Sequence, residues 1–222
     1  MRPANSPAVK ICCIESVAEA ELAIDAGAAA LGLVSAMPSG PGVIDDETIA
    51  EIAARVPAPI ETFLLTARRE AASIAEQQRR TRTTTLQLVD HVPHAELARL
   101  RAELPGIRLV QVVHVRDERA LDEAREAAPW VDALLLDSGN PALAVKELGG
   151  TGRTHDWAIS RRIRDAVARP LYLAGGLRAE NVADALRAVR PFGLDVCSGV
   201  RRDGKLDAER LHALFAAVRA AS

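Results

Sequence analysis

Cys12 and Cys13 stand side by side at the end of an apolar run that starts at Val9. A thiol becomes a usable base or nucleophile when a nearby positive charge or a helix N-terminus lowers its pKa. Adjacent residues of a strand point to opposite faces, so one of the two sulfurs is expected to look into a site and the other away from it. The competing reading is that both are small buried apolar side chains, the usual state of a free cysteine. Asp137 closes the run Ala133-Leu-Leu-Leu-Asp137. A carboxylate after such a run is costly to bury without a partner or a task. The competing reading there is a helix cap or a salt bridge to an arginine. A thiolate and a carboxyl group facing each other would make an acid–base pair.

Three glycine-bearing segments suggest an anion. They are Gly149-Gly150-Thr-Gly152, Gly175-Gly176 and Ser198-Gly199. Glycine lets backbone N–H groups approach an anion closely. Any one of them alone reads as a tight turn, but three together point to a phosphorylated ligand. His114 and Arg116 share a face by strand alternation and are candidate ligand contacts. Arg68-Arg69 and Arg201-Arg202 lie in loops that could reach a ligand, although exposed arginine pairs are commonly just solvated. Asp156 precedes Trp157 as a helix cap would. His91, His94, His155 and His212 have no metal-ligand spacing and read as surface residues.

These groups need a frame, and the chain repeats one. Short apolar runs alternate with longer segments of helical spacing. The runs are Val9–Cys13, Leu31–Val34, Ile60–Leu65, Thr85–Leu88, Leu109–Val113, Ala133–Asp137, Leu171–Ala174 and Gly193–Val196. Their length and continuous apolar character fit strands buried on both faces of a parallel sheet. The helical segments are Ser16–Ala26, Asp45–Val56, Ala67–Arg80, His94–Ala102, Glu118–Ala127, Asp156–Val167, Glu180–Val189 and Asp207–Ala221. They are rich in Ala, Arg, Glu and Leu, which are strong helix formers. Alternating units imply an α/β fold. Eight of them favour a closed (β/α)8 TIM barrel over an open doubly wound sheet. The whole chain reads as one domain, with residues 1–8 as a short N-terminal extension. In a barrel the site lies in the loops after the strands, where Cys12, Asp137 and the glycine segments fall.

Composition excludes several other functions. The 222 residues carry a net charge of −2, which leaves no electrostatic footprint for nucleic acid. Aromatic residues are 3%, too few for a base-stacking platform. No apolar stretch is long enough to span a membrane, and Met1 to Pro7 lacks the apolar core of a signal peptide. Three cysteines make neither a disulfide framework nor a zinc site and fit a reducing, cytoplasmic compartment. The oligomeric state stays open between monomer and homodimer.

Several segments together resemble one family. They are Lys10-Ile-Cys-Cys-Ile14, Ala30-Leu-Gly-Leu-Val34, Ala133-Leu-Leu-Leu-Asp-Ser138, Gly149-Gly-Thr-Gly-Arg-Thr-His-Asp-Trp157, Leu173-Ala-Gly-Gly-Leu177, Glu180-Asn-Val182 and Asp195-Val-Cys-Ser-Gly-Val200. In this order they are similar to phosphoribosylanthranilate isomerase, from Val9 to about Phe215. The resemblance implies a TIM barrel that carries out an Amadori rearrangement of a phosphorylated sugar amine, with no metal or organic cofactor. It implies Cys12 as general base and Asp137 as general acid. It also implies a phosphate held by amides around Gly150, Gly152, Gly175, Gly176, Ser198 and Gly199.

The chain departs from the family in three places. The first motif usually reads Lys-Ile-Cys-Gly-Ile-Thr, and here Cys13 and Glu15 replace the Gly and Thr. The family's Pro-Lys-Ser-Pro-Arg segment carries an Arg that pairs with the anthranilate carboxylate. Here the segment is Met37-Pro-Ser-Gly-Pro-Gly-Val43, which puts Gly42 at the Arg position. Gln-Leu-His-Gly becomes Gln87-Leu-Val89-Asp90. Loss of the Arg contact costs affinity of about 1.5–3 kcal/mol. Arg68, Arg116 or Arg178, with His114, are the candidates to replace it at the aglycone end. The alternatives are a paralogous isomerase acting on another phosphosugar amine, or a non-catalytic phosphosugar-binding barrel.

Overall fold

The computed structural model describes residues 6–140, 142–143, 145–148, 152 and 154–221. Eight parallel strands close on themselves in chain order: β1 Ala8–Ile11, β2 Ala30–Val34, β3 Glu61–Thr66, β4 Thr85–Leu88, β5 Arg108–His114, β6 Ala133–Asp137, β7 Leu171–Leu173 and β8 Gly193–Val196. A helix follows each strand: α1 Val17–Ala26, α2 Asp46–Arg55, α3 Ala71–Thr81, α4 His94–Glu103, α5 Arg119–Ala127, α6 Trp157–Ala166, α7 Val182–Val189 and α8 Ala208–Ala221. The fold is the (β/α)8 barrel that the alternation predicts. The seam is β1 against β8, where Lys10 pairs in register with Asp195.

Strand alternation divides the apolar residues into two layers. One set, including Ile11, Leu31, Leu33, Leu64 and Leu194, packs outward under the helices. The other, including Ala30, Phe63, Val110, Leu135 and Tyr172, fills the barrel. Burial on both faces is why the strands read as unbroken apolar runs.

Three helix starts carry local side-chain caps. Ser16 Oγ accepts from the Glu19 amide at 3.2 Å, Asp45 Oδ1 from Thr48 at 2.7 Å, and Asp156 Oδ1 from Ala158 at 2.8 Å. Asp156 is therefore a cap, as its position suggested. α3 differs, starting at Ala71 rather than Ala67. Its first amide is satisfied from another helix, by Glu96 Oε2 of α4 at 2.7 Å. The cap is tertiary, so no local pattern marks it. The first strand includes Ala8, one residue into the expected N-terminal extension. An unforeseen hairpin joins β9 Arg201–Arg202 to β10 Lys205–Leu206. Its turn, Asp203-Gly204, has φ of 52° and 79°, the geometry that an Asp-Gly hairpin favours.

Two histidines depart from the surface reading. His94 is half-buried and stacks on Trp130, with ring centroids 5.2 Å apart. His155 is half-buried with Nε2 2.7 Å from Ser160 Oγ, and burial pushes its pKa down to about 4. His91 and His212 are exposed.

Candidate active site

A cavity opens where the strands end, its wall drawn from several strand ends and the loops that follow them. Cys12, Cys13, Gln87, Asp137, Asp195 and Cys197 supply polar groups to its wall, while Met37, Leu65 and Leu148 supply apolar ones. The register of the barrel brings the end of β1 and the end of β6 to the same opening.

Asp137 is buried at the end of β6. Its Oδ1 accepts from the Ser138 amide at 2.7 Å. Burial raises its pKa from the ordinary 3.8 to about 6, against the opposing pull of that amide. A carboxyl group so placed can hold a proton near neutral pH and donate it.

Lys10 is fully buried, and its Nζ donates to Asp195 Oδ1 at 2.8 Å. Burial opposes the charge, but Asp195 and Cys12 outweigh it and keep the ammonium protonated. Gly32 of β2 leaves the room this needs. A Cβ there would lie 2.7 Å from Cys12 Sγ and 2.8 Å from Lys10 Nζ. The Cys12 thiol is held below its ordinary pKa. A hydrogen bond from Cys13 is the largest cause, burial opposes it, and the Lys10 charge assists.

The expectation that the two adjacent cysteines face apart is overturned. β1 ends at Ile11, and Cys13 takes a left-handed conformation with φ of 63°. Strand alternation no longer applies at that point, and both residues line the cavity. Cys13 Sγ lies 2.6 Å from Cys197 Sγ. Hydrogen bonds to Cys12 and Cys197, together with burial, push the Cys13 thiol well up.

Gly152, Gly175, Gly176 and Ser198 also line the cavity. Gly199 lies in an adjoining pocket that shares Gly152, Gly176 and Ser198 and adds Arg178 and Arg210. Gly150 lies outside the described residues. Arg178 therefore sits at the glycine end, where its Nε also meets Glu180 at 3.4 Å. Arg68 is exposed, with Nη1 3.4 Å from the Ser73 carbonyl. His114 is buried with Nε2 3.0 Å from the Val89 carbonyl, and it shares a separate cavity with Arg116 and Asp90. None of the four lines the cavity of Cys12 and Asp137.

Gly42 has a definite reason to be glycine. Its φ is 74°, and a Cβ on it would lie 2.5 Å from Cys13 Cβ. The departures at 13 and 42 lie against each other: a side chain at 42 would meet both the Cβ of Cys13 and its backbone, with Cα at 2.9 Å. Among the described residues lining the cavity there is no arginine or lysine. The Asp90 carboxylate instead meets Lys146 Nζ at 2.5 Å, and the Lys146 carbonyl accepts from Ser39 Oγ.

Sequence reasoning passed over Lys10, Asp195, Gln87 and Cys197 as site residues. A signal existed for the first two, because each is a lone charge inside an apolar strand, Val9-Lys-Ile11 and Leu194-Asp-Val196. Gln87 Oε1 is buried without a hydrogen-bond partner and belongs to the cavity wall. Nothing local marks Cys197.

Comparison with known proteins places this geometry. The model of the N-(5'phosphoribosyl)anthranilate (PRA) isomerase family matches residues 9–217. The chain belongs to the phosphoribosylanthranilate isomerase family. It is 34% identical to N-(5'-phosphoribosyl)anthranilate isomerase 1 of Methanosarcina mazei, over all of this chain and 99% of that protein. It is 38% identical to the Halorubrum lacusprofundi isomerase over 90% of each. The crystal structure of the Thermotoga maritima isomerase superposes with a TM-score of 0.83 at 29% identity, covering 96% of this chain and 99% of that one. A crystal structure of phosphoribosyl anthranilate isomerase in complex with reduced 1-(o-carboxyphenylamino)-1-deoxyribulose 5-phosphate gives a TM-score of 0.80 at 26% identity, covering 96% of this chain and 99% of that one.

Proposed function

We propose that this protein isomerises N-(5'-phosphoribosyl)anthranilate to its 1-deoxyribulose 5-phosphate product in tryptophan synthesis, with Cys12 as base and Asp137 as acid. The observation that carries the roles is the opposed tuning of the two groups in one cavity. Burial keeps a proton on Asp137 toward neutral pH, while Cys13 and Lys10 favour the ionised Cys12. Groups whose pKa values are pushed in opposite directions divide into acid and base.

The chemistry then balances without a cofactor. Asp137 gives its proton to the furanose ring oxygen, and the C1'–O bond breaks toward that oxygen. The nitrogen lone pair forms the iminium at C1'. Cys12 takes the C2' proton, and the C–H electron pair becomes the C1'–C2' double bond of an enolamine. Tautomerisation yields the ketone at C2'. Amides around Gly152, Gly175, Gly176, Ser198 and Gly199 hold the phosphate, with Arg178 beside them. The protein acts as one cytoplasmic domain, a monomer or homodimer. No helix among the described residues is long and apolar enough to cross a membrane.

A second reading has its own observation. No described arginine or lysine lines the cavity, and Cys13 closes the approach from Gly42. A phosphosugar amine whose aglycone lacks a carboxylate fits this wall better than anthranilate does. Complementation of a tryptophan auxotroph lacking the isomerase, with turnover of purified protein, separates the two. Growth and turnover support anthranilate as aglycone. A soluble, well-expressed protein that does neither refutes the first reading and leaves the second.

A further inference from the structure

Three thiols meet at the mouth of this barrel, and the reaction uses one of them. Cys12 and Cys13 both line the cavity, and Cys197 Sγ lies 2.6 Å from Cys13 Sγ. That approach is closer than two unbonded sulfurs usually make and longer than a disulfide bond. Both cysteines are free. They come from opposite ends of the chain, 184 residues apart, so their meeting is a product of barrel closure.

The pair is held in place by a third residue. Arg201 is buried, and its guanidinium donates to the Cys13 carbonyl and to Glu19 of α1 at 2.9 Å. Arg201 itself begins β9, directly after the Ser198–Val200 turn that follows Cys197. The backbones on both sides of the sulfur contact are thereby tied to each other. Cys13 adds its unusual left-handed conformation, which aims its sulfur at the cavity instead of at the helices. Cys197 is the more exposed partner.

We propose that Cys13 and Cys197 form a reversible dithiol site, which a two-electron oxidant of the peroxide class closes to a disulfide, and that closure switches off the base Cys12 beside it. The inference rests on the proposed role of Cys12 for its effect on turnover, but not for the cross-link. Cys197, as thiolate, attacks one peroxide oxygen. An S–O bond forms, the O–O bond breaks, and the leaving oxygen takes a proton and departs as water. The Cys13 sulfur then attacks the sulfenic sulfur of Cys197. The S–S bond forms, the S–O bond breaks, and the hydroxyl leaves as a second water with the Cys13 proton. Two thiols lose two electrons and peroxide gains them. The proton that Cys13 lent to Cys12 is then gone, and the loop holding Ser198 and Gly199 is tied to the end of β1.

The test treats the full-length protein with hydrogen peroxide and reads mass and turnover separately. The expected product is lighter by two hydrogens, and peptide mapping joins Cys13 to Cys197. kcat/KM should fall by about tenfold or more, short of the roughly 10²–10⁴-fold loss expected from removing a base, and a dithiol reductant should restore it. Cys197→Ala and Cys13→Gly should each form no cross-link, and reductant should restore no cross-link-dependent activity to them. Oxygen addition on Cys12 without a Cys13–Cys197 link overturns the proposal. A cross-link with unchanged turnover overturns the switch. If the protein turns over no phosphoribosylanthranilate but the cross-link forms, the reading of the reaction fails and the dithiol site stands.

Discussion

Lys10 Nζ lies 2.8 Å from Asp195 Oδ1, across the seam where the first and last strands close the barrel, and both groups are buried. Removing one member of a buried ion pair strands the other charge and costs about 3–5 kcal/mol. Lys10→Met should lower stability by that order in urea unfolding. Lys10→Met/Asp195→Asn should regain part of the loss. Equal stability of Lys10→Met and the parent would show that the pair is not holding the seam.

Asp137→Asn removes the acid while keeping an oxygen that can accept from the Ser138 amide. Turnover should fall by about 10²–10⁴-fold with little change in binding of a phosphorylated product analogue. The parent's kcat/KM should decline as pH rises through about 6, where Asp137 loses its proton. Unchanged activity of the Asn variant, measured with purified protein, removes Asp137 from the mechanism.

The same group makes a prediction about stability. The folded Asp137 binds a proton up to about 6, whereas the unfolded one releases it near 3.8. Its contribution is therefore complete below the lower value and is lost as pH rises through the upper one. The shift corresponds to up to about 3 kcal/mol. Asp137→Asn should be more stable than the parent at pH 8 by up to that amount, and the difference should shrink toward pH 4. A gap in Tm that is the same at both pH values contradicts a raised pKa.

Cys12→Ser should cost turnover by about 10²–10⁴-fold, as loss of the base requires. Cys13→Ser should also slow the enzyme, though less. Its neighbour's ionisation depends first on the hydrogen bond from Cys13. A Cys13→Ser enzyme with an unaltered rate and pH profile would make Cys13 a spectator.

Gly42→Arg should destabilise the fold by about 1–3 kcal/mol, because the position is left-handed and a Cβ there meets Cys13. Adding Cys13→Gly removes the nearest contact, at 2.5 Å, and leaves the Cα of residue 13 at 2.9 Å. The double variant should recover stability over Gly42→Arg and bind the anthranilate-derived product more tightly than the parent. Additive losses in thermal melts would show that the two positions are independent.

The strands were legible because each is a local event. Thr85–Leu88, Ala133–Asp137 and Gly193–Val196 appear with the boundaries that their apolar runs imply. Asp137 was legible for the same reason, as a carboxylate ending an apolar run at a strand end. α3 was misjudged by its start, because the group that caps Ala71 belongs to α4. Lys10 and Asp195 were visible only as two isolated charges in two strands. Their pairing needs the closing register of the barrel.

By itself the sequence determined the strand–helix alternation, the eightfold count, and a thiol, a carboxyl group and glycine loops at strand ends. Periodicity and propensity act over a few residues, and those features need nothing more. Tertiary structure decided which way the two adjacent cysteines point, since a positive φ at Cys13 overrides the alternation that a strand imposes. It also decided that Cys13 meets Cys197 and fills the space beside Gly42. It set the proton affinities of Cys12 and Asp137 as well: Cys13 lowers that of Cys12 against burial and Asp195, and burial raises that of Asp137. Contacts such as that of Cys13 with Cys197 arise only when the first strand docks on the last.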